Sequence, residues 1–294
     1  MNRLATNRLA TNRLATNRLA TNRFVWGAMM AAFAIAWVLA QGPTGNKLRW
    51  PEPGQSFTYR VRHHTEQSFT QGENTGKFTS ELDLLRQWKV TAVDKTGSAT
   101  LEMSITKMLM KRVNNDALPW VFDSENLEKS TPEMRNLNAH LNKVLATVSV
   151  DGLGRLLAVQ NTPGGGNPFE HELPFLGVLP AGELRPGLKW ERPFQLTLNP
   201  PLGTGEKYDA VQRFECKSVD KGKAVVTLTT QLKEKPAAPA DLIPLWQMLP
   251  SGEIVWDLTT GQLERGELKV KESLKTADGN VNTFESLKIV ERVK

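Results

Sequence analysis

The chain has 294 residues, 39% of them hydrophobic and 23% charged, with 22 Gly and 17 Pro; it can bury a substantial core and is neither collagenous nor low in complexity. The formal charge of +6 would suit a nucleic-acid binder, but Arg3, Arg8, Arg13, Arg18 and Arg23 supply five of those charges and are the only charged residues before Lys47. The nearly neutral remainder excludes a basic groove for nucleic acid, and the single cysteine, Cys216, excludes an intramolecular disulfide, a multi-cysteine zinc knuckle and a CxxC redox pair.

Residues 2 to 21 are four identical copies of Asn-Arg-Leu-Ala-Thr. A five-residue period turns successive copies by about 140° on a helix, so Leu4, Leu9, Leu14 and Leu19 form no apolar stripe. The repeat reads as a tandem duplication lengthening a basic leader, since solenoid units need roughly 20 residues or more. Phe24 to Ala40 then runs 17 residues without a charge and ends in Val38-Leu39-Ala40. A basic stretch, an apolar run and small residues at its end make a secretory signal, with the cut expected after Ala40. The alternative is an uncleaved anchor at the short limit for spanning a bilayer, which confines membrane contact to residues 24 to 40. No cysteine follows the run, so a lipid-modified terminus is excluded. On both readings the body is exported, to periplasm, medium or cell envelope.

After a Pro-rich entry linker over residues 41–53, residues 54–294 read as one β-rich domain. In Glu81 to Val93 the apolar Leu82, Leu84, Trp88, Val90 and Ala92 alternate with polar residues, the period of a half-buried strand. Asp94-Lys95-Thr96-Gly97 is a hairpin turn, and the next run reverses its apolar face at Lys107, which predicts a bulge. Ser130-Thr131-Pro132-Glu133 has the spacing of a capping box and opens a predicted helix over Met134 to Leu145. A hairpin over Ala146 to Val159 follows, turning at Asp151 to Gly154. Asn161 to Pro186, rich in Pro and Gly, reads as a joint. The layout then recurs: Phe214 to Leu228 parallels Trp88 to Leu101, Pro239 opens a helix over Leu242 to Leu249, and a hairpin spans Glu253 to Val270. Half-repeats of about 54–160 and 187–274 result. Two helices must cover what strands alone would leave wet, so the fold class is α+β, mostly antiparallel: a large curved sheet or open barrel covered by two helices.

Catalytic motifs are absent: there is no GxSxG, HExxH, Walker A or strand-to-helix GxGxxG, and Gly203 to Lys207 reads as a loop. His63 and His64 are strand neighbours that point to opposite faces and cannot chelate one ion, so no metal or other cofactor is expected. His140 and His171 stand alone in the sequence, and Cys216, in phase with Tyr208, Ala210 and Phe214, reads as a buried inert thiol. Asp94, Asp151, Asp220 and Asp257 sit in or beside turns, where Asp bonds its own backbone. The tryptophans read as core. Asp241 to Pro250 is an apolar stretch broken by Pro244, either a plug for the curved sheet or a movable lid over an apolar cavity; Leu242, Trp246 and Met248 are its candidate ligand-binding residues.

The stretch Leu242-Ile-Pro-Leu-Trp-Gln-Met-Leu-Pro-Ser-Gly-Glu-Ile-Val-Trp-Asp257, followed by Gly261-Gln-Leu-Glu-Arg-Gly-Glu-Leu268, resembles an uncharacterised, exported, planctomycete-type bacterial family across residues 50 to 294. That family supplies no site residues. More distantly, an exported antiparallel sheet curled over helices resembles the LolA/LolB lipoprotein carriers, although the chain lacks the N-terminal cysteine of LolB. The leading expectation is a non-enzymatic envelope protein that binds an apolar ligand or a protein partner; a structural or assembly role comes second and an unrecognised hydrolase third.

Overall fold

The computed structural model describes residues 47–160, 168–200, 202–276 and 279–294. The repeat leader, the apolar run and the expected cut after Ala40 lie outside them. Alternating apolar and polar side chains build β1 (Ser56–Gln71), β2 (Asn74–Val93), β3 (Ala99–Asn114), β4 (Trp120–Asp123), β5 (Ala146–Val150) and β6 (Leu156–Gln160). The second series is β7 (Lys189–Leu198), β8 (Glu206–Asp220), β9 (Lys223–Leu232), β10 (Ser251–Asp257), β11 (Gln262–Lys275) and β12 (Val281–Val293). All pairings are antiparallel, in one curved twelve-stranded sheet that does not close. Its order is β6-β5-β3-β2-β1-β12-β11-β10-β9-β8-β7, with β4 on β3. Two meanders result, the first with β4 added on β3, and β12 joins them by pairing with β1 on one side and β11 on the other.

Local chemistry sets the turns. Asp94 Oδ1 accepts from the Thr96 and Ser98 amides at 2.8 and 3.0 Å, Asp151 Oδ1 from those of Leu153 and Arg155 at 2.9 Å each, and Asp257 Oδ1 from Thr259 and Thr260 at 2.8 and 3.1 Å. Leu85 faces Lys107 and Arg86 faces Ile105, so the bulge falls at Thr106, one residue from its expected place. Within the entry segment, residues 48–50 pack against the sheet. Leu48 and Arg49 donate their amides to the carbonyls of Gly152 and Gly261, and Trp50 Nε1 donates to Gly97 O at 3.2 Å. Those three residues stitch together three hairpin turns at one end of the sheet.

From Phe169 to Leu179 the expected joint lies inside the molecule. Phe169, Leu173, Phe175, Leu176, Leu179 and Leu184 are buried against Trp88, Leu101 and Val148 of the first meander and Phe214, Val226, Ile254 and Trp256 of the second. This plug runs between the two edge strands, β6 and β7, and fills the concave face near the turn end. Gly266 on β11 makes room for it, because a Cβ there would stand 2.2 Å from Leu173 Cδ1.

Both predicted helices are present as 3₁₀ segments, over Pro132–His140 and Pro239–Met248. The capping box does not form. Thr131 Oγ1 accepts from the Val121 amide at 2.9 Å and Ser130 Oγ from the Asp123 amide at 2.8 Å, so these hydroxyls pin β4 and leave the helix end uncapped. That first segment buries no residue. The second does, and Pro244 inside it removes a backbone donor that an α-helix would need. Leu245 packs with Leu196, Leu198 and Ala210, while Trp246 packs with Val270 and Phe284, so this strap crosses the concave face from β7 to β11 and β12.

Candidate functional site

Strand register lays out the inner face in rows. Val61, Val290 and Gly266 form one row, buried under the plug. The next row away from the turn end is His63, Lys288 and Leu268, followed by Thr65, Ser286 and Val270. Chemistry changes at that step, from a dry core to charged and hydroxyl side chains. A cavity of about 290 Å³ lies here, floored by His171 and Glu172 of the plug, walled by β1, β12 and β11, and bounded by Gln247 and Pro250 at the end of the strap.

Glu172 organises its charges. Arg86 Nη1 donates to Glu172 Oε2 at 2.5 Å, and Lys288 Nζ stands 3.8 Å from Oε1. Burial pushes the Glu172 carboxyl up, but the Arg86 and Lys288 cations outweigh it and bring the group down to about 2. Arg192 of β7 ties the plug to the sheet edge through the carbonyls of Glu170 and Phe175, at 3.1 and 3.4 Å, with its guanidinium 5.3 Å from the Phe194 ring centre. Burial lowers its pKa. His63 Nε2 meets Ser286 Oγ at 2.8 Å and Thr65 Oγ1 at 3.2 Å. His171 Nδ1 is buried with no hydrogen-bond partner among the described residues. Burial, reinforced by Lys288, lowers His63 to about 4; burial, reinforced by Arg192, does the same to His171. Both imidazoles are therefore neutral at physiological pH.

These shifts predict a pH dependence of stability. In the unfolded chain the imidazoles take up protons near pH 6.5, whereas the folded chain refuses them until about pH 4, so stability falls as pH drops through that window. The loss is up to about 3 kcal/mol per imidazole. Glu172 extends it in the same direction below about pH 4.5. Urea unfolding as a function of pH checks this, and a flat profile between about pH 7 and 4 would contradict it.

The His63–Ser286 pair has the reach of a base and a nucleophile, but the third member of such a device is missing: among the described residues no carboxylate bonds His63, and Glu172 is engaged by Arg86. Nor do three His, Cys, Asp or Glu side chains converge as a metal would require, again among the described residues. Cys216 is fully buried and its thiol is pushed up by burial, as an inert core residue should be.

Of the sequence candidates, Leu242 and Trp246 sit together on Val270 and Phe284, and Met248 sits with Leu245 on β7. None of the three lines the cavity; their neighbour Gln247 does. A cleft gathering His171, Glu172 and an Asp is what the sequence would require of a hydrolase; His171 and Glu172 do meet in the cavity, among the described residues no Asp lines it, and Arg86 and Lys288 were not foreseen. For Arg86 the signal was present, since it shares the inward phase of Leu82, Leu84, Trp88 and Val90 and is 9% exposed. A charge on an otherwise apolar face needs a buried partner.

A second concavity, about 460 Å³, lies on the outer face over β12, β1, β2, β3 and β4, lined by Leu109, Val121, Leu287 and Ile289 with Arg62, Lys111 and Asp83 among its polar residues.

No protein-family model matches the sequence, and no curated protein sequence matches it. Among solved structures the chain is similar to one of lipovitellin described for its lipid–protein interactions, at 13% identity and a TM-score of 0.44 over 83% of this chain; it spans only 25% of that longer one. It is also similar to an outer membrane channel from Pseudomonas putida F1, at 10% identity and a TM-score of 0.25 over 86% of this chain and 99% of the channel. A DUF1329 family protein from Desulfovibrio piger is similar at 10% identity and a TM-score of 0.13, over 83% of this chain and 85% of that one. Likenesses at these scores say nothing of what this chain binds.

Proposed function

We propose that the chain is an exported, non-enzymatic binding protein that holds one small amphipathic molecule in the cavity between plug and strap. The observation that carries this reading is the two-sided lining: Lys288, His63, Ser286, Thr65 and Gln247 offer polar contacts, while Leu268, Val270 and Phe284 offer an apolar wall. The polar floor replaces the wholly apolar cavity that the sequence suggests. In this reading Leu242, Trp246 and Met248 serve the ligand by anchoring the strap on both sides, which positions Gln247 over the site. Protein-partner binding is the second reading, favoured by the outer concavity, where Leu109 is 45% exposed.

The test is a titration with anilinonaphthalene sulfonate, whose fluorescence reports an amphipathic site. The Ser286→Phe variant fills the cavity and should weaken binding about tenfold or more, with circular dichroism unchanged. An equal titration of both proteins would place the probe elsewhere and count against the reading.

A further inference from the structure

We infer that the ligand of this cavity carries an anionic head group, a carboxylate or phosphate on a short alkyl chain, held by Lys288. The inference rests on the binding reading above and names the chemical class. It follows from how the charges around the floor are used. Among the described residues Lys288 is the one lysine or arginine that lines the cavity, and Glu172, the one carboxylate lining it, is paired by Arg86 from outside the lining. Glu172 is closely engaged by Arg86 at 2.5 Å, while Lys288 stands off at 3.8 Å, beyond hydrogen-bond reach. Its side chain is 22% exposed, so water reaches the ammonium only in part.

Among the described residues this ammonium has a distant counter-ion and no acceptor in hydrogen-bond range. It faces the same space as the Ser286, Thr65 and Gln247 donors. His63 and His171 lend polar atoms to that space. An acidic head group placed there gains charge-assisted hydrogen bonds from Lys288, and its alkyl chain lies along Leu268, Val270 and Phe284. A cationic head meets repulsion from Lys288, and an alcohol offers the ammonium only a neutral acceptor.

The experiment compares octanoate, octanol and octylamine by calorimetry on the whole chain at mildly alkaline pH. Octanoate is expected to bind about tenfold or more tightly than octanol, with octylamine weakest. Lys288→Met should bring octanoate down to the level of octanol, and Lys288→Arg should keep most of the preference. Should the methionine variant misfold, salt provides the second arm: added salt should weaken octanoate binding and spare octanol. Equal affinities for octanoate and octanol, both blocked by Ser286→Phe, would overturn the anionic head group and leave the binding site standing. Failure of all three to bind would overturn the site itself and the inference with it.

Discussion

Replacing Arg86 with methionine should destabilise the protein by about 2–4 kcal/mol, the cost of leaving a largely buried carboxylate without its counter-ion. Arg86 has 11% of its side chain exposed and Glu172 28%, so the lower part of the range for buried pairs applies. Lys288 offsets only part of the loss, because its ammonium stands 3.8 Å from the carboxylate, beyond hydrogen-bond reach. The double variant Arg86→Met/Glu172→Leu removes both charges and should recover all but about 1 kcal/mol, since methionine and leucine suit the surrounding core. Urea unfolding of the two variants and the parent makes the comparison. A single variant as stable as the parent would mean that Glu172 is solvated and that the floor of the cavity is not organised by this pair.

Phe175→Ala should cost about 3–5 kcal/mol, the range for deleting a fully buried aromatic ring. Phe175 is 1% exposed and meets Trp88 edge-on with ring centres 5.0 Å apart, while Phe169 meets the same indole at 5.8 Å. Its neighbours in the core come from both meanders, so the hole opens where the two halves of the sheet share one interior. Thermal unfolding should shift down in a single transition, and the near-ultraviolet dichroism of Trp88 should weaken. A small loss would mean that the plug rests on the sheet without completing its core.

The sheet was legible because its information is local. Period-two alternation marks the strands, Asp side chains bonding their own backbone mark the turns at Asp94, Asp151 and Asp257, and a phase reversal at Lys107 marks the bulge to within one residue. The plug was not legible, since Phe169 to Leu184 is neither helix nor strand over most of its length and periodicity registers only regular elements. Its buried leucines find their partners far along the chain, on β2, β8 and β10. The capping box misled for a related reason: Ser130 and Thr131 have the right local chemistry, but the amides of β4 reach their hydroxyls. The candidate site is the extreme case. His63, Arg86, Glu172 and Lys288 come together only through strand pairing and the return of the plug, and of these only Arg86 announced itself, as a charge in an apolar phase.

The proposed ligand lies between plug and strap on the inner face. The position of a bromine-labelled octanoate in a crystal of the protein tests this placement most directly. The bromine signal is expected along Leu268, Val270 and Phe284, with the carboxylate at Lys288. A bromine signal in the outer concavity of Leu109, Leu287 and Ile289, with the inner cavity free of it, would contradict the account.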